Sequence, residues 1–379
     1  MEKLFERISR FLWVLSAPFF YLPFVKQRRL PNRKPVCVEI SGKEKNGGRS
    51  CLIIKLGALG DVAMSLAALR ELKSVPGTRV TWVAGESVVP LLELSNMVDE
   101  IIITDTPALF SSNKILATRA VLSVCRELWG RKFDLCLIPY RDWRYNVLRL
   151  GTWCKAVRSF HPKKSLIPGR YHGSEYLRLA LGENTCSNAE NLFPELHLPT
   201  AVGAQIPDIL LAPGGSFNPL KNDVTRRWPV EHYVEFARLS LASNLSVGII
   251  GDGEDADLEK HFSELPVISF INKTTIAELL TILRGTRLLI THDSGPMHLM
   301  ALAGGPMIAL FGPTLAAEKI VPSHKIKVLH ASRPLLCRPC YDGKTYVKCG
   351  NNFCMTEISP DMVFSEALGL LEHFKCERL

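Results

Sequence analysis

From residue 51 onward the chain repeats one pattern. A short continuous apolar run is followed by a turn, then by a stretch whose apolar residues recur every three or four positions. CLIIK leads into LGALGD and then VAMSLAALREL. Continuous apolar runs of this length predict strands buried on both faces, and the wider spacing predicts amphipathic helices. RVTWVAG, EIIITD and FDLCLIPY are further strands, with helices at VVPLLELSNMV and about residues 115–130. The pattern restarts after residue 200 with PDILLAPGGS, HYVEFARLSLAS, LSVGIIGDG, TIAELLTILRGT, TRLLITHDSG, PMHLMALAGG and PMIALFGPT. Strands alternating with helices predict doubly wound parallel sheets. The chain therefore reads as two Rossmann-like α/β domains, 50–203 and 204–357, with a final helix in 358–379. Its 379 residues suffice for two cores.

Residues 1–49 stand apart from this pattern. FLWVLSAPFFYLPFV, residues 11–25, is shorter than a spanning helix and is interrupted by Pro18 and Pro23. Lys3, Arg7 and Arg10 precede it; Lys26, Arg28, Arg29, Arg33 and Lys34 follow. The formal net charge is +9, but 11 of the 46 Lys/Arg and only 4 of the 37 Asp/Glu lie in residues 1–50. The body is close to neutral, which argues against nucleic acid as a partner. The arm reads as a monotopic anchor on an anionic inner-membrane surface, ahead of a polar linker. An arm packed on the protein's own surface and an uncleaved signal anchor are the other readings.

Seven of the 11 cysteines are scattered, several in apolar contexts such as Cys51, Cys125 and Cys136, which points to a reducing, cytoplasmic compartment. The other four cluster as Cys337, Cys340, Cys349 and Cys354. That spacing suits a structural zinc ion; two disulfides or a packed free-thiol loop are the alternatives.

Three turns carry candidate chemistry. Gly57 and Gly60 flank the approach to Asp61, a carboxylate at a helix start, which reads either as a site residue or as a simple cap. Gly214, Gly215 and Ser216, followed by Thr225, Arg226 and Arg227, offer backbone donors and guanidinium groups to a phosphate. Asp293, Ser294, Gly295 and His298 sit where a strand passes into a helix, so the helix N-terminus faces an incoming anion. Glu254 and Asp255 end another strand, where a carboxylate can hold ribose hydroxyls. Residues 141–178 hold nine Lys/Arg against two acidic residues, a candidate surface for an anionic acceptor or else a solvated loop.

Taken together, LGALGD with LREL, GRYHGSEYLRLALG, APGGS…RRWP, DSGPMH…ALFGPT and CRPC…CGNNFCM resemble glycosyltransferase family 9, the lipopolysaccharide heptosyltransferases, over about residues 50–375. The resemblance implies a GT-B architecture, with the two domains facing a central cleft. It implies transfer of heptose from ADP-heptose to a lipid A-linked core saccharide, with inversion and without a catalytic metal. Asp61 would be the general base. Gly214, Gly215, Ser216, Thr225, Arg226, Arg227, Glu254, Asp255, Asp293, Ser294, Gly295 and His298 would bind the donor. Gly57, Gly60, Lys163, Lys164, Arg170 and His172 would serve the acceptor. The enzyme would lie peripherally on the cytoplasmic face of the inner membrane. A GT-B transferase using a UDP- or GDP-sugar, and an inactive sugar-nucleotide-binding membrane protein, are the alternatives.

Overall fold

The computed structural model describes residues 48–160, 166–182, 193–198, 205–215, 217–218, 221–222, 224–340 and 349–375. The apolar arm, Lys163, Lys164 and Ser216 lie outside the described residues. The helices include α1 (Leu59–Lys73), α2 (Val89–Ser95), α3 (Lys114–Leu128), α4 (His172–Leu181), α5 (Val230–Ala242) and α6 (Ile276–Gly285), then α7 (Gly295–Ala303), the short α8 (Ala316–Lys319) and α9 (Pro360–Lys375). Contacts gather the chain into two units. Among the described residues, the first holds those up to Leu56, Glu71–Glu86 and those from Val98 to Phe160; the second holds Gly57–Arg70, Ser87–Met97 and those from Leu166 onward. Most of α1 and all of α2 thus group with the second unit.

In the first unit five strands, β1 (Ser50–Ile54), β2 (Arg79–Gly85), β3 (Glu100–Thr104), β4 (Lys132–Ile138) and β5 (Trp153–Ser159), form a parallel sheet in the order β3-β2-β1-β4-β5. Leu52 pairs in register with Thr81 on one side and Cys136 on the other. This central place explains why Cys51–Ile54 is apolar throughout. Helix α3 turns Ala120, Val124 and Leu128 onto Leu52, Ile54, Val83 and Phe133. Asn113 starts it, its side-chain oxygen accepting from the Ile115 and Leu116 N–H groups. Lys55 is buried at the end of β1. Its Nζ stands 4.5 Å from the centre of the Tyr140 ring, and its carbonyl accepts from Trp82 Nε1 at 2.9 Å.

In the second unit β6 (Ile209–Leu211), β9 (Val247–Ile249), β10 (Ile268–Ser269), β11 (Leu288–His292), β12 (Met307–Leu310) and β13 (Ile326–Leu329) form a parallel sheet in the order β10-β9-β6-β11-β12-β13. A short antiparallel pair, β7 (Phe217–Asn218) and β8 (Lys221–Asn222), stands outside it. Chain order reverses between β6 and β11, and a switch of this kind opens a crevice at the carboxyl ends of the strands. The core beneath is built on Trp228, Tyr233, Phe236, Ile290 and Leu310. Val363, Ala367 and Leu371, at four-residue spacing on α9, close it. The indole N–H of Trp228 donates to Ile358 O at 2.8 Å, so this large ring is buried with its polar atom satisfied.

Candidate functional site

The loops after β6 and β11 meet at the switch point. Gly215 has a φ of +78°, which glycine adopts freely, and a Cβ there would stand 3.2 Å from Ser294 Cβ. A Cβ on Gly214 would stand 2.0 Å from Asp255 Cγ, so this loop passes too close to its neighbours for any side chain. Asp255 is buried. Its carboxylate accepts from Gly215 N at 3.0 Å and Asp252 N at 3.2 Å. Burial raises its pKa first, with these hydrogen bonds and Arg227 acting the other way. Asp255 therefore holds the glycine loop. Its neighbours Asp252 and Glu254 are the exposed carboxylates that follow β9.

The two adjacent arginines have different partners. Arg227 donates through Nε and Nη2 to Gly215 O at 2.9 and 2.6 Å, clamping the glycine turn. Arg226 Nη1 donates to Asp293 O at 3.0 Å and lies 3.4 Å from Asp293 Oδ2. Beside them the Thr225 hydroxyl is buried with no hydrogen-bond partner among the described residues.

Ser294 occupies the N-cap position of α7, with Pro296 in the first turn. Its side chain does not cap the helix. The hydroxyl instead donates to His292 O at 3.3 Å and lies 3.3 Å from Thr291 Oγ1. The first N–H groups of α7 are thus without a capping side chain, at the end of the helix that favours negative charge.

A set of titratable groups surrounds this helix end. Burial alone would raise the Asp293 carboxyl. The charge of Arg226, then those of Lys319 and His298, override it and bring the pKa down to about 2. His298 lies one turn into α7. Burial depresses its pKa to about 4, opposed by Asp293 and Asp61. His172, at the start of α4, is brought down to about 3 by burial and by Lys319. His292 is also lowered to about 3, by burial and then by Arg226 and Arg227, with Tyr233 Oη 3.1 Å from its Nδ1. The three imidazoles are neutral at neutral pH, and the cations are arginine and lysine.

Asp61 enters through α1. It sits in the first turn of that helix and interacts electrostatically with both His172 and His298. Gly60 makes this possible, because a Cβ there would stand 2.4 Å from His298 Cδ2. Gly57 has no such neighbour: its Cβ position is open.

The sequence reading singled out Asp61, Arg226, Asp293, Ser294, Gly295, His298 and His172, and all of them come together here. His172 is buried among them rather than lying on an exposed basic surface. Lys319 escaped notice. It stands on the four-residue helix α8, five positions past the FGPT turn, with no motif around it. Its Nζ is 3.3 Å from His172 Nδ1, and His172 Nε2 is 3.7 Å from Glu318 Oε2. A neutral His172 accepts from Lys319 at Nδ1 and presents Nε2–H toward Glu318, so it fixes two adjacent residues of α8.

Several cations of the basic run at 141–178 are paired or buried. Arg144 pairs with Asp142 at 2.6 Å and lies over the Phe110 ring, Arg149 is buried, and Arg178 pairs with Glu175 at 2.7 Å. Arg170 is exposed, 3.8 Å from Glu175. These pairings make much of the local charge structural. The four C-terminal cysteines are free thiols. Cys354 is buried beside Gly312, whereas Cys337 and Cys349 are exposed. Among the described residues no three His, Cys, Asp or Glu side chains are gathered as a metal ion's ligands would be.

Comparison with known proteins gives a consistent set of likenesses. Residues 172–349 match glycosyltransferase family 9 (heptosyltransferase). The chain is 23% identical over 292 residues to the lipopolysaccharide core heptosyltransferase OpsX of Haemophilus influenzae, covering 69% of this chain and 79% of that protein. It is 30% identical over 197 residues to lipooligosaccharide heptosyltransferase 2 of Campylobacter jejuni, covering 48% of this chain and 59% of that one. Among solved structures, the ADP-heptose lps heptosyltransferase II of E. coli superposes with a TM-score of 0.64 at 19% identity, over 86% of this chain and 99% of the other.

Proposed function

Because the chain belongs to glycosyltransferase family 9 and has its GT-B fold, we propose that it transfers heptose from ADP-heptose to a lipid A-linked core saccharide in lipopolysaccharide biosynthesis. The observation that carries this reading is one cluster. An uncapped helix N-terminus, the cations Arg226 and Lys319 and the carboxylate of Asp293 converge at the β6/β11 switch point with Asp61 beside them.

The donor diphosphate lies at the N-terminus of α7, where backbone N–H groups and the helix dipole favour it. Arg226, already on Asp293, turns to the departing phosphate and neutralises charge as it develops. Lys319 adds a second cation on the Asp293 side, and the buried Thr225 hydroxyl adds a donor. Glu254 serves the ribose. Asp61 takes the proton from the acceptor hydroxyl, whose oxygen attacks the anomeric carbon; the bond to the diphosphate breaks and ADP leaves. Attack opposite the leaving group inverts the anomeric centre. In this account Arg226, Lys319 and the helix end supply the positive charge, so the reaction runs without a catalytic metal.

The acceptor is a membrane lipid, which gives a reason for a peripheral position on the cytoplasmic face of the inner membrane. Among the described residues no helix is long and apolar enough to cross a membrane. The reading is tested by presenting purified protein with ADP-heptose, UDP-sugars and GDP-sugars on a heptose-deficient lipopolysaccharide acceptor, with and without EDTA. Transfer from ADP-heptose alone, unchanged by EDTA, is the expected result. Transfer from another nucleotide sugar in preference, or activity lost with EDTA, would overturn it.

A further inference from the structure

Helix α3 has two apolar sides. Ala120, Val124 and Leu128 face the core. Ile115, Arg119, Leu122 and Arg126 recur at the same helical spacing on the opposite side, and successive turns bring them within about 60° of one another around the axis. All four are exposed, Ile115 at 66% and Leu122 at 48%, and Leu116 beside them is at 42%. Lys114 opens the stripe, and the partly exposed Trp129 follows its end. No carboxylate lies among these residues. Scattered exposed aliphatics are ordinary; three on one helix face, interleaved only with cations, form the pattern of a helix that lies in a lipid interface.

From this geometry we infer that the outer stripe of α3 docks on an anionic bilayer surface, with Ile115, Leu116 and Leu122 among the acyl-chain ends and Arg119 and Arg126 on lipid phosphates. Charge selects this occupant. A second copy meeting the same face about a two-fold axis would set Arg119 and Arg126 against their equivalents. An anionic lipid surface complements both the cations and the apolar stripe. The inference rests on the proposed membrane-lipid acceptor for its purpose and names the surface that would present the enzyme to it.

The test is sedimentation of the full chain with vesicles of phosphatidylcholine alone and of phosphatidylcholine with equimolar phosphatidylglycerol. Two variants are compared with the wild type: I115S/L116S/L122S and R119E/R126E. Wild type is expected to bind the anionic vesicles preferentially, and each variant to bind them about tenfold more weakly or worse. Both variants should keep the wild-type melting temperature and full transfer to a soluble, delipidated acceptor fragment. That second readout separates the two ideas, because loss of transfer in the wild type would strike the proposed reaction and leave the docking surface standing. Vesicle binding by either variant equal to wild type would overturn the inference. So would a wild-type dimer that the substitutions convert to monomer, which would give the face to a second copy.

Discussion

The imidazole of His298 fills the space that a side chain at residue 60 would need: a Cβ on Gly60 would lie 2.4 Å from His298 Cδ2 and 2.9 Å from Nε2. The glycine thus sets how closely the Asp61 turn approaches α7. Gly60→Ala must displace the ring or the helix start. We expect a loss of about 1–3 kcal/mol in stability and at least a tenfold fall in kcat. Gly57→Ala, with nothing within 4 Å of its Cβ position, should stay near wild type in both. Thermal melts and steady-state transfer rates on the pair check this. Equal damage from both would show that the loop needs flexibility rather than room.

Arg226 and Arg227 are adjacent in sequence and separate in role. Arg226→Ala removes the cation on Asp293, and kcat should fall by about a hundredfold, as for the loss of one group that stabilises developing charge. Arg227→Ala frees the Gly215 carbonyl and loosens the turn, so the donor KM should rise while kcat changes less. The split between kcat and KM is the measurement. The reverse assignment would move the leaving-group role to Arg227.

Lys319→Ala should weaken ADP binding by about tenfold, because it removes a cation acting on Asp293 and His298. Lys319→Arg should recover part of the loss. His172→Ala, which leaves the lysine in place but unfixed, should weaken ADP in the same direction by less. Calorimetric titration with ADP follows all three. Unchanged affinity in Lys319→Ala would remove Lys319 from the site.

Acid should destabilise the fold through its buried histidines. His172, His292 and His298 have folded pKa values of about 3, 3 and 4, below the 6.5 of a free histidine. Below 6.5 the unfolded chain binds protons that the native site refuses, so stability falls as pH falls, by roughly 1.4 kcal/mol per unit for each histidine. The fall continues toward pH 4. Asp293, at about 2 against 3.8, adds its share only below that range. The melting temperature should therefore drop steadily between pH 6.5 and 4.5, and His298→Gln should make the slope shallower. A flat profile would mean that the imidazoles protonate in place.

Much of this site can be read from residue types alone, because its parts sit in turns where composition and geometry coincide. DSGPMH announces a strand-to-helix passage with proline in the first turn, and APGGS announces a turn that only glycine allows. Division of labour is not legible in the same way. Nothing in TRRWP says that one arginine reaches Asp293 and the other Gly215, since the choice depends on where β6 and β11 lie beside each other. Asp255 has the sequence position of a ribose ligand, and its burial against Gly214 turns it inward. Lys319 is invisible because His172, which fixes it, is 147 residues away. The grouping of α1 with the second unit likewise follows from long-range contacts that a strand-and-helix pattern does not contain.

The central claim is that Asp61 draws the proton from the acceptor in a heptosyl transfer, and Asp61→Asn tests it most directly. The substitution keeps the shape of the side chain and removes its basicity. Measured with ADP-heptose and a heptose-deficient lipopolysaccharide acceptor, kcat should fall by about a hundred- to ten-thousandfold while ADP binds with wild-type affinity. Turnover within a few-fold of wild type, at unchanged ADP affinity, would contradict it.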